Sequence, residues 1–182
     1  QSGFRAGDNV FVIGTGISGL LHIKLLRALS AGKIIAADIN PYRMAKAKEF
    51  GADRVLDTRE GEGLVDILGR GADVVYVCTG AEAVLDVAFN SVDKGGNIMF
   101  FAVPRPEVDV SIPMNRYWRD EVTIRTSYAG SPYDITRAME LIASKRIVVE
   151  DMITHVLPLG SAQEGFDLVA GSGDSIKVIL VP

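Results

Sequence analysis

The chain is poor in the residues that staple or metallate a fold. One cysteine, Cys78, stands among 182 residues. No disulfide can close within the chain, and no multi-cysteine zinc site can be assembled. The two histidines, His22 and His155, lie far apart with no second ligand at helical spacing, so both read as structural or surface residues. An excess of one charge is also lacking. Nineteen Lys and Arg against 23 Asp and Glu leave a net charge of −4. With no basic cluster, a nucleic-acid partner is disfavoured. No apolar run approaches the ~18 residues of a membrane span. The start, Gln1-Ser2-Gly3, has neither Met nor the apolar core of a signal peptide. It reads as a cloning or processing scar, with the chain beginning inside a longer protein. A cytoplasmic setting fits the lone thiol.

What is present is a hydrophobic fraction of 48%, enough for one full domain and a little more. The strongest local signal is Val10-Phe11-Val12-Ile13-Gly14-Thr15-Gly16-Ile17-Ser18-Gly19, with Asp38 nineteen residues beyond the last glycine. Four apolar residues predict a buried strand, Ile17 to Leu29 a helix, and Lys33 to Asp38 a second strand ending in a carboxylate. That order is the dinucleotide-binding βαβ unit. Gly14 permits the turn, Gly16 lets a pyrophosphate approach the backbone, and Gly19 lets helix and strand close up. The helix N-terminus then faces the phosphates. Asp38 can accept hydrogen bonds from the adenosine ribose and would repel a 2′-phosphate, which favours NAD over NADP. Gly-rich turns also close ordinary loops, and S-adenosylmethionine enzymes share a similar turn and strand-end acid.

Further along, Pro41 to Phe50 predicts a helix stopped by Gly51. Arg54 to Leu56 predicts a third strand, and Glu60 to Leu68 has a loose helical period. Ala72 to Cys78 is apolar enough for a parallel strand covered on both faces. A helix is expected over Ala81 to Asn90 with Val84, Leu85, Val87 and Ala88 inward. Gly96 to Val103 and Glu121 to Thr126 are expected as strands five and six. The alternation implies an α/β fold, a Rossmann-type doubly wound parallel sheet of about six strands. The last third changes character: a helix over Pro132 to Ser144, a strand over Met152 to Leu157, a helix around Gly165 to Ala170, and a closing strand over Ile176 to Val181. Tyr117, Trp118 and the apolar residues near Pro113 read as contacts for a partner domain or subunit, with core packing as the alternative. Glu140, Glu150, Asp151 and Glu164 read as solvated charges. The Glu121–Thr126 strand should lie at one edge, and exposed edges invite pairing.

The runs GTGISGLLHIKLLRA, ADINPYRMAKAKEFGAD, VCTGAEAVLDVAFNSVDKGGNIMFFAVP and ITHVLPLGSAQEGFDLVAGSGDSIKVILVP occur in that order. Together they resemble the carboxyl half of the medium-chain, zinc-dependent alcohol dehydrogenases, nearest the sorbitol, polyol and threonine dehydrogenase branch, from Gly7 to Pro182. The resemblance implies a cofactor domain over residues 1–130 and a tail, 131–182, that returns to a catalytic domain. It implies that Gly14, Gly16, Ile17, Ser18 and Gly19 form the phosphate turn. Asp38 and Arg43 would serve the ribose, and Cys78, Thr79 and Gly80 would flank the riboses. Ala102 and Val103 would hold the nicotinamide carboxamide, and Lys177 would reach the pyrophosphate. It also implies a homodimer through the edge strand.

In this family the zinc ligands lie upstream of the glycine turn. Here 13 residues precede Gly14, and none is Cys, His or Glu. The expectation is therefore a fragment that binds NAD(H) but does not turn over alcohols, with zinc and the alcohol or polyol substrate belonging to the longer parent. The alternatives are a stand-alone NAD-binding or NAD-sensing module, and a relative of the zinc-free quinone reductases. The latter favour NADPH, against which Asp38 speaks.

Overall fold

Val10–Ile13 (β1) is buried at all four positions, which suits only a central strand with helices on both faces. It leads through Gly14–Gly16 into Ile17–Ala28 (α1), whose buried residues Gly19, Leu20, Ile23 and Leu26 follow the helical period. Ile34–Asp38 (β2) comes next. In Pro41–Glu49 (α2), Asn40 caps the first turn and Pro41 occupies the first helical position. The chain continues through Arg54–Asp57 (β3), Leu64–Leu68 (α3) and Ala72–Val77 (β4). Leu85–Ser91 (α4), Val92–Phe100 (β5), Met114–Asp120 (α5) and Thr123–Thr126 (β6) complete the first unit. This is a computed structural model, and it describes residues 2–59 and 63–182. The start of the helix expected over 60–68 lies outside the described residues.

The six strands form one parallel sheet in the order β3-β2-β1-β4-β5-β6. Each parallel step needs a crossover, and right-handed crossovers put helices on opposite faces for the two halves. Two apolar clusters result. One joins Val10, Val12, Leu20, Ile23, Ile34 and Ala36, and the other joins Phe11, Ile13, Ile35, Val75, Ile98 and Phe100.

The remainder is Pro132–Ala143 (α6), Ile153–Pro158 (β7), Ala162–Gly171 (α7) and Lys177–Val181 (β8). β7 and β8 pair in parallel as a separate two-stranded sheet. The first cluster takes in Met152 and Ile176, so this tail is seated on the α1–α2 face. α6 buries none of its residues and exposes Tyr133, Ile135, Met139 and Ile142.

Several local expectations change. The fifth strand runs over Val92–Phe100, not 96–103, because Ala72 pairs with Val92 and the next register residue, Val74, with Asn97. Between them the chain bulges through Gly95, which adopts φ +69°. The helix expected over 81–90 begins as a 3₁₀ turn at Glu82–Val84, and Phe89 joins its inward face. α5 was not expected. It buries Tyr117, whose hydroxyl donates to the Phe89 carbonyl at 2.9 Å, so Tyr117 is core, while Trp118 is 76% exposed. Asp151 is not simply solvated: Lys24 Nζ reaches its Oδ2 at 2.7 Å. Among the described residues, no helix is long and apolar enough to cross a membrane.

Candidate functional site

Parallel register sets the site. Ile13 lies level with Ala37 on one side and Val77 on the other, and Val77 is level with Phe100. Four strands therefore end within one residue of each other, β2 running on to Asp38. The residues at that level (Gly14, Asp38, Cys78 and Phe101) share the carboxyl edge of the sheet. The chain leaves β1 and β4 on opposite faces, and such a switch point opens a crevice at that edge.

The glycines take the three expected roles. Gly14 has φ +89°, a region that disfavours side chains, and an added Cβ would sit 2.9 Å from Thr79 Cβ. Gly19 lies so close to β1 that an added Cβ would overlap the Gly14 carbonyl oxygen. Around Gly16 nothing among the described residues lies within 4 Å of that position, so its outer side is open. Gly16 also precedes α1 with no capping side chain and no acidic residue in the first turn. Its exposed amides and the positive end of the dipole suit an anion.

Asp38 is half-buried and held by four donors. The Thr15 amide and hydroxyl donate to Oδ2 at 2.6 and 2.9 Å, and the Ile39 and Asn40 amides donate to Oδ1 at 2.8 and 3.0 Å. Arg43, in the first turn of α2, has a buried Nε with no partner among the described residues. Such an atom is costly unless a further group reaches it.

At the other end of the crevice, Cys78, Thr79 and Gly80 follow β4, and Ala102 and Val103 follow β5. An added Cβ on Gly80 would lie 2.7 Å from the Val103 carbonyl oxygen, so the two strand exits touch. Val103 is exposed. Burial pushes the Cys78 thiol up to about 12, so it stays protonated at neutral pH. Its Sγ lies 3.7 Å from His22 Nδ1, which sits 2.8 Å from the Ser18 carbonyl.

The structure thus brings twelve of the thirteen sequence-predicted residues to one edge. Lys177 is the exception. It is exposed at the first position of β8, level with Ile153, and no hydrogen bond joins its side chain to the others among the described residues. Sequence reasoning missed Thr15 and Asn40. Asn40 was visible as a polar residue before a proline, the usual mark of a helix cap. Thr15 carried no signal, because its partner lies 23 positions away. A separate hollow of about 600 Å³, lined by residues including Phe4, Leu25, Tyr76 and Phe101, takes in none of the thirteen. Among the described residues no group of three or more His, Cys, Asp or Glu could hold a metal ion.

Fold and edge together define a Rossmann-type domain with its crevice at the glycine turn. The comparisons narrow this. Residues 18–144 match the zinc-binding dehydrogenase family, and the chain belongs to that family as its carboxyl-terminal half. D-xylulose reductase A of Aspergillus oryzae is 29% identical across 99% of this chain and 52% of its own length. Sorbitol dehydrogenase of Gallus gallus is 27% identical across 99% of this chain and 51% of its own. A protein of Sinorhizobium meliloti 1021, assigned as a zinc-binding dehydrogenase and bound to NADP, superposes with a TM-score of 0.91 at 25% identity. That match covers all of this chain and 54% of the other. The chain spans about half the length of the curated relatives it matches.

Proposed function

We propose that this chain is the NAD(H)-binding half of a dehydrogenase that moves hydride between a secondary alcohol or polyol and NAD. The observation that carries the reading is the Gly14–Gly19 turn. Its outer side is open at Gly16, at the uncapped start of α1, level with the Asp38 carboxylate one strand away. The residues fit the cofactor, which would supply the hydride-accepting nicotinamide ring. Gly14, Gly16, Ile17, Ser18 and Gly19 would hold the pyrophosphate through backbone amides. Asp38 would take the ribose hydroxyls and Arg43 would stand beside them. Cys78, Thr79, Gly80, Ala102 and Val103 would line the nicotinamide end with backbone groups. Lys177, which lies apart from that edge, is left out of the proposed cofactor set.

Asp38 already carries four hydrogen bonds, so ribose binding there exchanges partners rather than adding them. Its negative charge supports NAD, since a 2′-phosphate beside it is repelled. The described residues do not fit a zinc ion, so no step is assigned to one on this chain. Substrate contacts and metal would belong to the other half. We further propose that residues 1–130 form the cofactor domain and 131–182 the returning tail. The exposed apolar side of α6 supports this, as it has the character of a surface awaiting a partner domain. A cytoplasmic location and a homodimer through β6 belong to the same reading.

Calorimetric titration of this chain with NADH and with NADPH tests it. Saturable NADH binding with NADPH clearly weaker is the expected result. Absence of binding by both would leave the glycine turn a structural device, and tighter NADPH binding would reverse the reading of Asp38.

A further inference from the structure

Among the described residues, three polar contacts help to seat the tail on the α1–α2 face, beside the packing of Met152 and Ile176. Lys24 Nζ pairs with Asp151 Oδ2 at 2.7 Å. An Arg146 Nη2 donates to the Ala28 carbonyl at 3.3 Å. Asn40 Nδ2 donates to the carbonyls of Ser172 and Gly173, at 2.6 and 3.3 Å, in the turn between α7 and β8. The third differs from the others because of what else Asn40 holds. Its backbone amide donates to Asp38 Oδ1 at 3.0 Å. Its side-chain oxygen accepts the Arg43 amide at 3.1 Å, fixing the first turn of α2. One half-buried side chain thus touches the tail turn with its nitrogen and the Arg43 turn with its oxygen, while its amide touches the carboxylate.

The arrangement is tight at both ends. Ser172 closes α7 in the left-handed region, with φ +50°. Ser175 and Ile176, two and three residues past Gly173, are buried, Ile176 in the α1-face cluster. Displacing the turn therefore pulls on a buried segment, and Lys177 follows directly. We infer that Asn40 is a positioning residue that couples the seating of the 172–176 turn to the Asp38–Arg43 end of the cofactor site. Occupancy of the ribose end and ordering of the tail then favour each other, since each draws on the same residue. This rests on the ribose reading of Asp38.

Substitutions separate this coupling from simple capping. Ser caps a helix about as well as Asn, but it is too short to reach the tail carbonyls. Asp also caps, and places an oxygen against those carbonyls. In Asn40→Ser, the amides of residues 172–176 should exchange hydrogen faster than in the unsubstituted chain without any ligand. NADH affinity should fall about tenfold, or ~1.4 kcal/mol, at a similar thermal midpoint. NADH should slow exchange at 172–176 in the unsubstituted chain and not in Asn40→Ser. Asn40→Asp should show the same losses or larger ones. A capping role alone leaves both variants silent, and that result overturns the inference while NADH binding by the parent chain stands. If the parent chain binds no NADH, the ribose reading and the coupling fall together. If NADH binds but leaves exchange at 172–176 unchanged, the coupling alone falls.

Discussion

Thr15 and Asp38 meet at a single atom: the amide and the hydroxyl of Thr15 both donate to Asp38 Oδ2, at 2.6 and 2.9 Å. Thr15 is fully buried, so this carboxylate oxygen is fixed from inside the protein. The turn and the acid, two separate features in sequence, are one unit in space. Asp38→Ala removes the charge and leaves two Thr15 donors unpaired. NADH affinity should fall at least tenfold and the preference over NADPH should narrow, read by titration with each. Thr15→Val keeps the shape and deletes one hydrogen bond to a charged group, which should lower stability by about 1.5–3 kcal/mol in denaturant melts. Unchanged NADH affinity in Asp38→Ala, with no gain for NADPH, would refute the ribose assignment.

Gly16 and Gly19 should respond in opposite ways. A methyl on Gly19 collides with the Gly14 carbonyl, which backbone packing cannot yield cheaply, so Gly19→Ala should lose about 2–3 kcal/mol of stability. Gly16 has φ −66° and ψ −169°, open to any residue, and has free space beside it. Gly16→Ala should keep its thermal midpoint within a few degrees yet bind NADH at least tenfold more weakly, because the methyl stands where the phosphate would come. Equal loss of stability in both variants would show that Gly16 serves packing instead.

The pH response of stability should carry a histidine signature. His22 packs between the rings of Tyr76 and Phe101, with centroids 5.1 and 4.8 Å away. Burial pushes its imidazole below the ordinary value of 6.5, and the hydrogen bond to the Ser18 carbonyl opposes this only in part. Below pH 6.5 the unfolded chain takes up a proton that the folded chain does not. Stability is therefore complete above 6.5 and declines as pH falls, until the folded imidazole also protonates. His22→Phe keeps the ring stack and should flatten that part of the profile between pH 7.5 and 5.5. A profile of unchanged slope would assign the acid sensitivity to other groups.

The legibility of this fold follows how far apart the interacting residues are. The β1–α1–β2 unit and its glycines could be read because each role depends on neighbours a few positions away. The central strands β1 and β4 announced themselves through unbroken apolar runs. α5 escaped because seven residues between Pro113 and the left-handed Glu121 carry little periodicity. Tyr117 looked like interface because its partner, the Phe89 carbonyl, is 28 positions away. Lys24 and Asp151, 127 apart, and Asn40 and Ser172, 132 apart, become neighbours only once the tail folds back. Placement at the carboxyl edge of the sheet was thus visible in sequence, and the links that orient those residues were not.

Self-association should run through β6. Among the described residues, Thr123–Thr126 ends the sheet, paired with β5 on one side only, and Arg125 and Thr126 are exposed. An edge that is short but uncovered offers its backbone donors and acceptors to a second copy. Two copies related by a twofold axis would pair β6 antiparallel and continue the sheet across both chains. Sedimentation at micromolar concentration should give twice the chain mass of 19.5 kDa. Thr126→Lys adds a charge to the exposed end of that edge and should weaken the pairing without unfolding the chain, since the position faces solvent. If the unsubstituted chain sediments as a monomer, pairing of β6 does not hold this half together by itself.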